Sequence, residues 1–503
     1  MRGGGRRGRL ARILDGIERA GNRLPDPLTL FVIAAALVVV ASAVASLAGV
    51  TATHPGTGEA VRPVNLLSRA GLRRMLLEMV PNFTAFPPLG TVLVVMLGIG
   101  VAERSGLVAA ALRRLVTAVP AVLLPAALVF AGVMSSLAAD AGYVVLTPLG
   151  AVLFAGVGRH PLAGLAAAFA GVSAGFSANL LVTALDPLLA GITQPAARLV
   201  DPAYVVDPTA NYYFMIASTV LLTAVGTVVT TRVVEPRLGR WSGTADTDET
   251  APAASERRGL AGAALAAGAV VALVGLLAAT GVLRDDAGGW TPFFGALVPL
   301  LMLFFLVPGL AYGRVVGTIR SDRDVATMTS DTMATMGSYV VLAFVAAQLV
   351  AYFAWSNLGL IVAVHGAGAL RSLGIGGLPL LVGFVLVSAA VNLLIGSASA
   401  KWAIMAPVFV PMLMLMGYAP ETVQVAYRVG DSVTNVVTPL LPYFPIVISF
   451  ARRYDPDAGL GTLVAAMLPY SVAFLVAWLV LLVAWVGLGV PLGPGAPIGW
   501  SPG

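Results

Sequence analysis

Long apolar runs recur along this chain, and short polar gaps separate them. The first run, Leu28–Val50, is long enough for a helix to cross a bilayer. Further runs begin near residues 90, 119, 143, 161, 211, 259, 293, 336, 377 and 461. The chain is 58% hydrophobic and only 11% charged, whereas soluble domains carry about 25% charged residues. The pattern predicts an all-α polytopic membrane protein with about nine transmembrane helices, and it excludes an ordinary cytosolic enzyme.

Basic residues lie in the gaps between the runs and do not form one stripe, so the net charge of +6 does not indicate nucleic acid as a partner. The first 27 residues hold seven arginines and three acidic residues. Because basic residues favour the cytoplasmic side, we expect a cytoplasmic N-terminus and a location in the cytoplasmic membrane. A signal peptide is the alternative, but the first run is long for one. The polar residues 51–88 predict an outside loop.

The chain contains no cysteine, and its three histidines show no metal-binding spacing. No GxxxxGK[ST] motif is present, which argues against direct use of ATP. We therefore expect no cofactor, and no metal other than a sodium ion that serves as the coupling ion.

The distribution of the runs predicts two transmembrane halves. Residues 1–27 are expected to be a cytoplasmic segment, and residues 28–233 a first transmembrane repeat. A polar connecting loop is expected at residues 234–258, which are rich in charge, Thr and Ala. The second repeat is expected at residues 259–490, followed by a C-terminal tail at 491–503.

Each half contains one stretch in which Gly, Pro and polar residues interrupt the apolar pattern, at residues 177–208 and 396–452. An offset of 259 residues aligns Pro148 with Pro407, Gly158 with Gly417, and Pro161 with Pro420. Paired interrupted segments indicate the binding site of a secondary transporter. Each stretch therefore predicts a re-entrant helical hairpin or an unwound helix, in an internal repeat that we expect to be inverted. Kinked packing helices are the alternative.

The first interrupted stretch carries Asn179 and Asp186. Asp186 precedes Pro187, and a proline disfavours helical geometry in the residue before it. A carboxylate beside freed carbonyls suits a cation or a transported proton, and an ionisable residue in the membrane indicates function. The alternative is a structural Asp that caps a helix starting at Pro187.

The second interrupted stretch is preceded by Asn392 and carries Ser399, Lys401 and Trp402. The Ser399 hydroxyl stands beside small residues, where it could bind substrate oxygens. Trp402 could stack on an aromatic ring. Lys401 could bind a substrate anion, extend to the membrane interface or pair with an acid. Ordinary helix packing is the alternative for Ser399 and Trp402.

Arg428 and Asp431 follow three residues apart, so they share one face of a helix. A structural ion pair between them is one interpretation. In the other, Arg428 binds a substrate carboxylate, because a guanidinium group suits planar bidentate contacts. Oxygen-bearing side chains surround a helix break nearby and suit a hard cation such as Na⁺. The predicted cation site consists of Asp186, Asn392, Asp431, Ser432 and Asn435.

These motifs resemble the AbgT family of p-aminobenzoyl-glutamate transporters over almost the whole chain. The strings that carry the resemblance are Arg12–Glu18 with Pro25–Pro27, Gly175–Gln194, and Gly396–Phe450 with SASAKWAIMAP and YRVGDSVTNVVTPLLPYFP. The resemblance implies a homodimer whose protomers each have about nine transmembrane helices and two re-entrant hairpins. By motif, it implies substrate-pathway roles for Asp186, Asn392, Ser399, Trp402, Pro420, Arg428, Asp431 and Pro439. Asn179 and Lys401 are also predicted to line the substrate pathway, because both are polar residues within the interrupted stretches.

The resemblance implies import of p-aminobenzoyl-glutamate or export of sulfonamide-type antimetabolites, coupled to protons or Na⁺. A small anionic aromatic substrate suits Trp402 as a ring face and Arg428 or Lys401 as a positive charge. A Na⁺-coupled dicarboxylate carrier, a passive channel and a membrane amide hydrolase are the alternatives. We expect a transporter and not an enzyme, because neither interrupted stretch contains a histidine and no GxSxG elbow appears in a strand–helix context.

Overall fold

The computed structural model describes residues 27–53, 58–137, 142–239, 241, 254–286, 288, 291–395, 397–438, 441 and 443–501. Within them the protein is almost entirely helical, which confirms the predicted all-α class. One short antiparallel pair of strands joins β1 (Ala52–Thr53) to β2 (Ala60–Val61). Residues 1–26, with the first string of the family resemblance, lie outside the described residues.

The described part of the first half forms helices α1 to α11. Their bounds are α1 Pro27–Leu47, α2 Arg69–Leu77, α3 Met79–Thr84, α4 Pro87–Arg104, α5 Leu107–Thr117, α6 Leu124–Met134, α7 Thr147–Gly156, α8 Pro161–Phe169, α9 Leu185–Ala197, α10 Tyr212–Val229 and α11 Glu235–Leu238. Short 3-10 turns (Ala121–Leu123, Ser135–Leu137) and π turns (Gly142–Leu146, Ala170–Ala174, Thr230–Val234) adjoin them. The predicted loop at 51–88 thus contains α2 and α3, because the Ser68 hydroxyl accepts a hydrogen bond from the Gly71 amide and caps α2.

The described part of the second half forms helices α12 to α22. Their bounds are α12 Ala254–Ala279, α13 Thr291–Gly295, α14 Leu297–Val316, α15 Asp322–Thr335, α16 Gly337–Trp355, α17 Leu358–Ser372, α18 Gly377–Asn392, α19 Ala398–Met414, α20 Pro420–Val433, α21 Phe444–Ala451 and α22 Leu460–Leu488. Much of the interrupted stretch 396–452 is therefore helical, and its break falls between α20 and α21.

Several helices are long and apolar enough to cross a membrane. The continuous ones are Tyr212–Leu238, Ser255–Ala279, Leu297–Val316 and Gly461–Leu488. Two bent pairs also qualify, Val92–Arg104 with Leu107–Leu115 at 66° and Asp322–Thr335 with Tyr339–Trp355 at 46°. Length and composition thus give four spans in the described residues, or up to six if each bent pair is one span. Other predicted runs form shorter apolar helices, such as Pro161–Ala174 and Gly377–Asn392.

The two aligned halves have the same backbone conformation just before α8 and α20 and at the first residue of each helix. Gly158 and Gly417 have φ values of +73° and +96°, a region in which glycine is favoured. Pro161 and Pro420 then occupy the first position of their helices. A proline costs little there, because the first N–H groups of a helix have no intrahelical partner. The Gly and Pro matches of the repeat therefore mark the same turn and helix start.

The interrupted stretches pack against each other. Helix α9 contacts α19 and α20, and the π turn Ala170–Ala174 contacts α20. Every residue of α20 is buried. Helix α18 approaches α20 closely at Gly430, where an added Cβ atom would overlap the backbone carbonyl of Val385. The packing brings polar side chains from both halves of the chain together inside the protein.

Candidate functional site

Two ion pairs are buried where the interrupted stretches meet. In the first, Arg428 Nη1 on α20 lies 2.6 Å from Asp186 Oδ1 on α9. In the second, Lys401 Nζ on α19 contacts Asp431 Oδ1 on α20. The side chains of Lys401 and Asp431 are only 1% and 2% exposed. Charged groups at this depth need further hydrogen bonds, since attraction within the pair alone rarely offsets the loss of hydration.

Asp186 obtains such hydrogen bonds from the start of its own helix. Its Oδ2 accepts hydrogen bonds from the Thr183 amide (2.6 Å) and the Thr183 hydroxyl (2.9 Å). The prediction that Pro187 keeps Asp186 out of helical geometry is wrong, because Asp186 lies in the first turn of α9. Pro187 is the third residue of that helix, where it removes no intrahelical hydrogen bond. The other carboxylate oxygen, Oδ1, is left to bind Arg428.

Arg428 connects two parts of the first interrupted stretch. Besides its contact with Asp186, its Nη2 donates a hydrogen bond to the Ser177 carbonyl (3.0 Å). The Arg428 Nε and the hydroxyl oxygens of Ser173 and Ser177 are buried and have no hydrogen-bond partner among the described residues. A donor and two hydroxyl groups are therefore free beside the first ion pair, where a polar ligand could use them.

Lys401 is enclosed by oxygen atoms. It donates a hydrogen bond to Asn392 Oδ1 and pairs with Asp431. Asn392 is the last residue of α18, and its Nδ2 donates to Thr434 Oγ1 (2.7 Å) and Asn435 Oδ1 (2.8 Å). Of the interpretations open for Lys401, the structure shows pairing with an acid and not extension to the interface. The predicted ion pair between Arg428 and Asp431 is wrong. Arg428 pairs with Asp186 on α9, and Asp431 pairs with Lys401 on α19.

Trp402 contacts the two helices that carry the acids of the ion pairs, α9 through Thr193 and α20 through Tyr427. Its ring stacks on Tyr427 with centroids 4.4 Å apart and planes inclined by 25°. Its Nε1 donates a hydrogen bond to Thr193 Oγ1 (2.9 Å). The Tyr427 hydroxyl lies within hydrogen-bond distance of both the Ala398 carbonyl and Asp431 Oδ1 (3.2 Å). Because Tyr427 covers one face of Trp402, a substrate ring that stacks on this face must displace Tyr427.

Two small cavities reach predicted site residues. One, of about 10 Å³, is lined in part by Asn179, Asp186 and Arg428. Another, of about 20 Å³, is lined in part by Ser399 and Ala403. Pockets for drug-sized ligands measure about 300–1,000 Å³. Neither of these two cavities is large enough to hold an aromatic anion.

The five residues of the predicted cation site are distributed over both ion pairs. Asp186 and Asp431 each face a basic side chain, Asn392 contacts Asn435, and the Ser432 hydroxyl donates to a carbonyl of its own helix (2.9 Å). Among the described residues, no group of three or more His, Asp or Glu side chains could hold a metal ion. Ion binding at these five residues stays a prediction.

The remaining predicted residues have structural contacts or lie outside the described residues. Asn179 Nδ2 donates to Ser136 Oγ (2.9 Å), and its Oδ1 accepts from the Leu181 amide (2.9 Å). Pro420 begins α20. Pro439 lies outside the described residues, so its predicted role stays a prediction.

Two polar side chains of the site were not found from the sequence. The Thr193 hydroxyl, which accepts from Trp402, donates to Gln424 Oε1 (2.6 Å). Their spacing in the sequence could have identified them. Thr193 follows Asp186 by two helical turns, and Gln424 precedes Arg428 by one turn. Each of these residues lies on the same helix face as a charged residue that was found.

The sequence matches one family of transporters over nearly its whole length. A sequence model of the AbgT transporter family matches residues 12–500. The p-aminobenzoyl-glutamate transport protein of Escherichia coli (strain K12) is 41% identical over 484 residues, which are 95% of each chain.

Two solved structures are similar to this one in both sequence and fold. The YdaH transporter of Alcanivorax borkumensis, described as having an unusual topology, is 49% identical with a TM-score of 0.90 over 93% of this chain and 100% of that one. MtrF of Neisseria gonorrhoeae, described as illuminating a class of antimetabolite efflux pumps, is 46% identical with a TM-score of 0.91 over 97% of this chain and 100% of that one.

Proposed function

The chain belongs to the AbgT family of transporters, and we propose that it carries p-aminobenzoyl-glutamate, sulfonamide-type antimetabolites or both across the cytoplasmic membrane. Family membership confirms the expectation of a multi-pass membrane transporter and not an enzyme. One relative is named for transport of p-aminobenzoyl-glutamate, and another belongs to a class of antimetabolite efflux pumps. Both kinds of cargo contain an aminobenzene ring, so one site can accept both.

The observation that carries this proposal is the buried contact of Arg428 with Asp186. A guanidinium group binds any carboxylate in the same planar arrangement, so a glutamate carboxylate of the substrate can replace Asp186 on Arg428. Asp186 then becomes a buried acid without its basic partner, which favours uptake of a proton or a cation. Substrate binding and ion binding are thereby linked through one arginine.

The second ion pair provides the other part of the proposed site. The substrate ring replaces Tyr427 on one face of Trp402 and releases the contact between Tyr427 and Asp431. Asp431 and the neighbouring Asn392 then offer oxygen atoms to the coupling ion, which we propose to be a proton or Na⁺. Apart from the coupling ion, the proposed mechanism needs no cofactor.

We also propose the architecture that the family resemblance implies: a homodimer, with about nine transmembrane helices per protomer and a cytoplasmic N-terminus. The two re-entrant hairpins are α7 with α8, which precede the predicted stretch 177–208 and do not lie within it, and α19 with α20. They belong to inverted repeats. This assignment is supported by the contact between the two helices of each pair and by the matching Gly and Pro positions at the turns.

Binding of labelled substrate to the purified protein tests the role of Arg428. We expect Arg428→Gln to weaken p-aminobenzoyl-glutamate binding by about ten- to a hundredfold, the range for loss of a hydrogen bond to a charged group. A sulfonamide without carboxylates should lose much less affinity. Arg323→Gln, at an exposed arginine, is the control and should bind both compounds normally.

Unchanged binding of p-aminobenzoyl-glutamate by Arg428→Gln would show that Arg428 does not bind the substrate carboxylate. Succinate is the competitor that tests the alternative cargo. Displacement of p-aminobenzoyl-glutamate by equimolar succinate would favour the dicarboxylate carrier.

A further inference from the structure

A third buried carboxylate, Glu421, lies in this region and is not used by the proposed mechanism. Glu421 is the second residue of α20 and is 3% exposed. Asp186 and Asp431, the other buried acids of the region, each have a basic partner. Glu421 takes part in none of the ion pairs formed by the described residues, and its Oε2 instead accepts a hydrogen bond from the Tyr204 hydroxyl (2.9 Å).

The charged groups on the helices packed against α20 are already paired. Helix α9 carries Asp186, which binds Arg428, and α19 carries Lys401, which binds Asp431. Helix α22 carries Tyr470, whose hydroxyl contacts Thr230. Helix α18 and the π turn Ala170–Ala174 carry no charged residue.

The segment between α9 and α10 reaches Glu421 through Tyr204 and carries titratable groups of its own. These are Arg198, Asp201, Tyr204 and Asp207, and Tyr418 precedes α20. The Arg198 Nε donates to the Tyr204 carbonyl (3.0 Å), whereas Asp201 and Asp207 accept from amides of their own segment. None of these contacts places a positive charge on Glu421.

The protonated form of Glu421 fits this environment. The start of a helix favours an anion, but this effect is several times smaller than the free-energy cost of burying an unpaired charge. Two neutral donors, the Tyr204 hydroxyl and the Glu421 backbone amide, do not offset that cost. Glu421 is therefore expected to hold a proton while the segment covers it and to release the proton when water reaches it.

A chain of hydrogen bonds connects the backbone carbonyl of Glu421 to Trp402, and the Tyr204 hydroxyl connects the Glu421 carboxylate to the same segment. Asn211 Nδ2 donates to the Glu421 carbonyl (3.0 Å), and Gln424 Nε2 donates to Asn211 Oδ1 (2.8 Å). Gln424 accepts from Thr193, which accepts from Trp402 Nε1. Tyr204 and Asn211 belong to the same segment, so a change at Glu421 alters how this segment docks on α20. The segment in turn fixes Gln424 and, through Thr193, the indole ring.

We propose that Glu421 is a further proton-binding residue of this transporter and that its protonation sets the position of Trp402 through residues 198–211. The inference deepens the proposed function and rests on it, because Trp402 is the ring on which the substrate is proposed to stack.

The test is the tryptophan fluorescence of the purified full-length protein, titrated from about pH 5 to about pH 9, a range that includes ordinary and buried carboxyl groups. The chain has seven tryptophans, so the Trp402 signal is taken as the difference from a Trp402→Phe variant. We expect a pH-dependent Trp402 signal in the natural protein and its loss in Glu421→Gln. The exposed Glu78→Gln is the matched control and should titrate like the natural protein.

A second variant distinguishes loss of the titrating group from structural damage caused by the Glu421→Gln substitution. Tyr204→Phe leaves Glu421 titratable but removes a donor that stabilises its ionised form. The midpoint should therefore rise by about one to two pH units, which corresponds to loss of a hydrogen bond to a charged group. A Glu421→Gln protein that titrates like the natural one, or a Tyr204→Phe protein with an unmoved midpoint, would overturn the proposal.

Transport separates this proposal from the proposed function. Uptake of p-aminobenzoyl-glutamate by Glu421→Gln should lose part of its pH dependence, and uptake by Glu78→Gln should keep it. If the natural protein moves neither this substrate nor a sulfonamide, the proposed function is contradicted, while the fluorescence titration still decides whether Glu421 controls Trp402.

Discussion

At the scale of single residues, the site consists of charges that the protein keeps away from water and pairs between different helices. Arg428 and Asp186 are 242 positions apart, and their contact joins the two halves of the chain. The sequence identified both residues because ionisable groups in apolar surroundings are conspicuous. The sequence could not show that these two residues pair with each other, because spacing identifies only neighbours on the same helix. By spacing, Asp431 was the expected partner of Arg428.

A double substitution tests whether the stability of the fold depends on this pairing. Arg428→Gln leaves Asp186 buried without its partner and should cost about 3–5 kcal/mol of unfolding free energy. The double variant Arg428→Gln with Asp186→Asn should be more stable than Arg428→Gln alone, because it buries no unpaired charge. Thermal unfolding in detergent measures both. Equal stability of the single and double variants would mean that the two charges do not interact in solution.

At the scale of helices, close backbone contacts fix the positions of the charged side chains. Helix α20 carries Arg428 and Asp431 on adjacent turns, and its contact with α18 depends on Gly430. Glycine and proline spacing predicted that the two interrupted stretches correspond. The spacing did not reveal the helices α9, α19 and α20 within these stretches, because a glycine needed for close packing and a glycine needed for a turn look alike in a sequence.

Helix α20 is expected not to tolerate a side chain at Gly430. In Gly430→Ala, the added methyl group would overlap the Val385 carbonyl, so we expect a loss of about 1–3 kcal/mol from overpacking and weaker substrate binding. Gly268→Ala, on α12, has no neighbour within 4 Å and is the control. It should be neutral or stabilise the protein, since Ala is the better helix former. A Gly430→Ala protein as stable as Gly268→Ala would contradict the close packing.

At the scale of the whole molecule, hydropathy predicted the class of protein, and the motifs predicted its family. The number of membrane-spanning helices is harder to predict from the sequence. The run that begins near residue 377 ends as the shorter helix α18 (Gly377–Asn392), and a bend of 66° separates α4 from α5. A run of apolar residues gives no information about such bends, which depend on the neighbouring helices.

The most direct test of the account is uptake of labelled p-aminobenzoyl-glutamate into proteoliposomes, with a proton gradient and a Na⁺ gradient imposed separately. We expect one gradient to drive accumulation by the natural protein. Asp186→Asn should only equilibrate the substrate, because its side chain can no longer exchange between Arg428 and the coupling ion. Accumulation by Asp186→Asn equal to that of the natural protein, or uptake by the natural protein that ignores both gradients, would contradict the account.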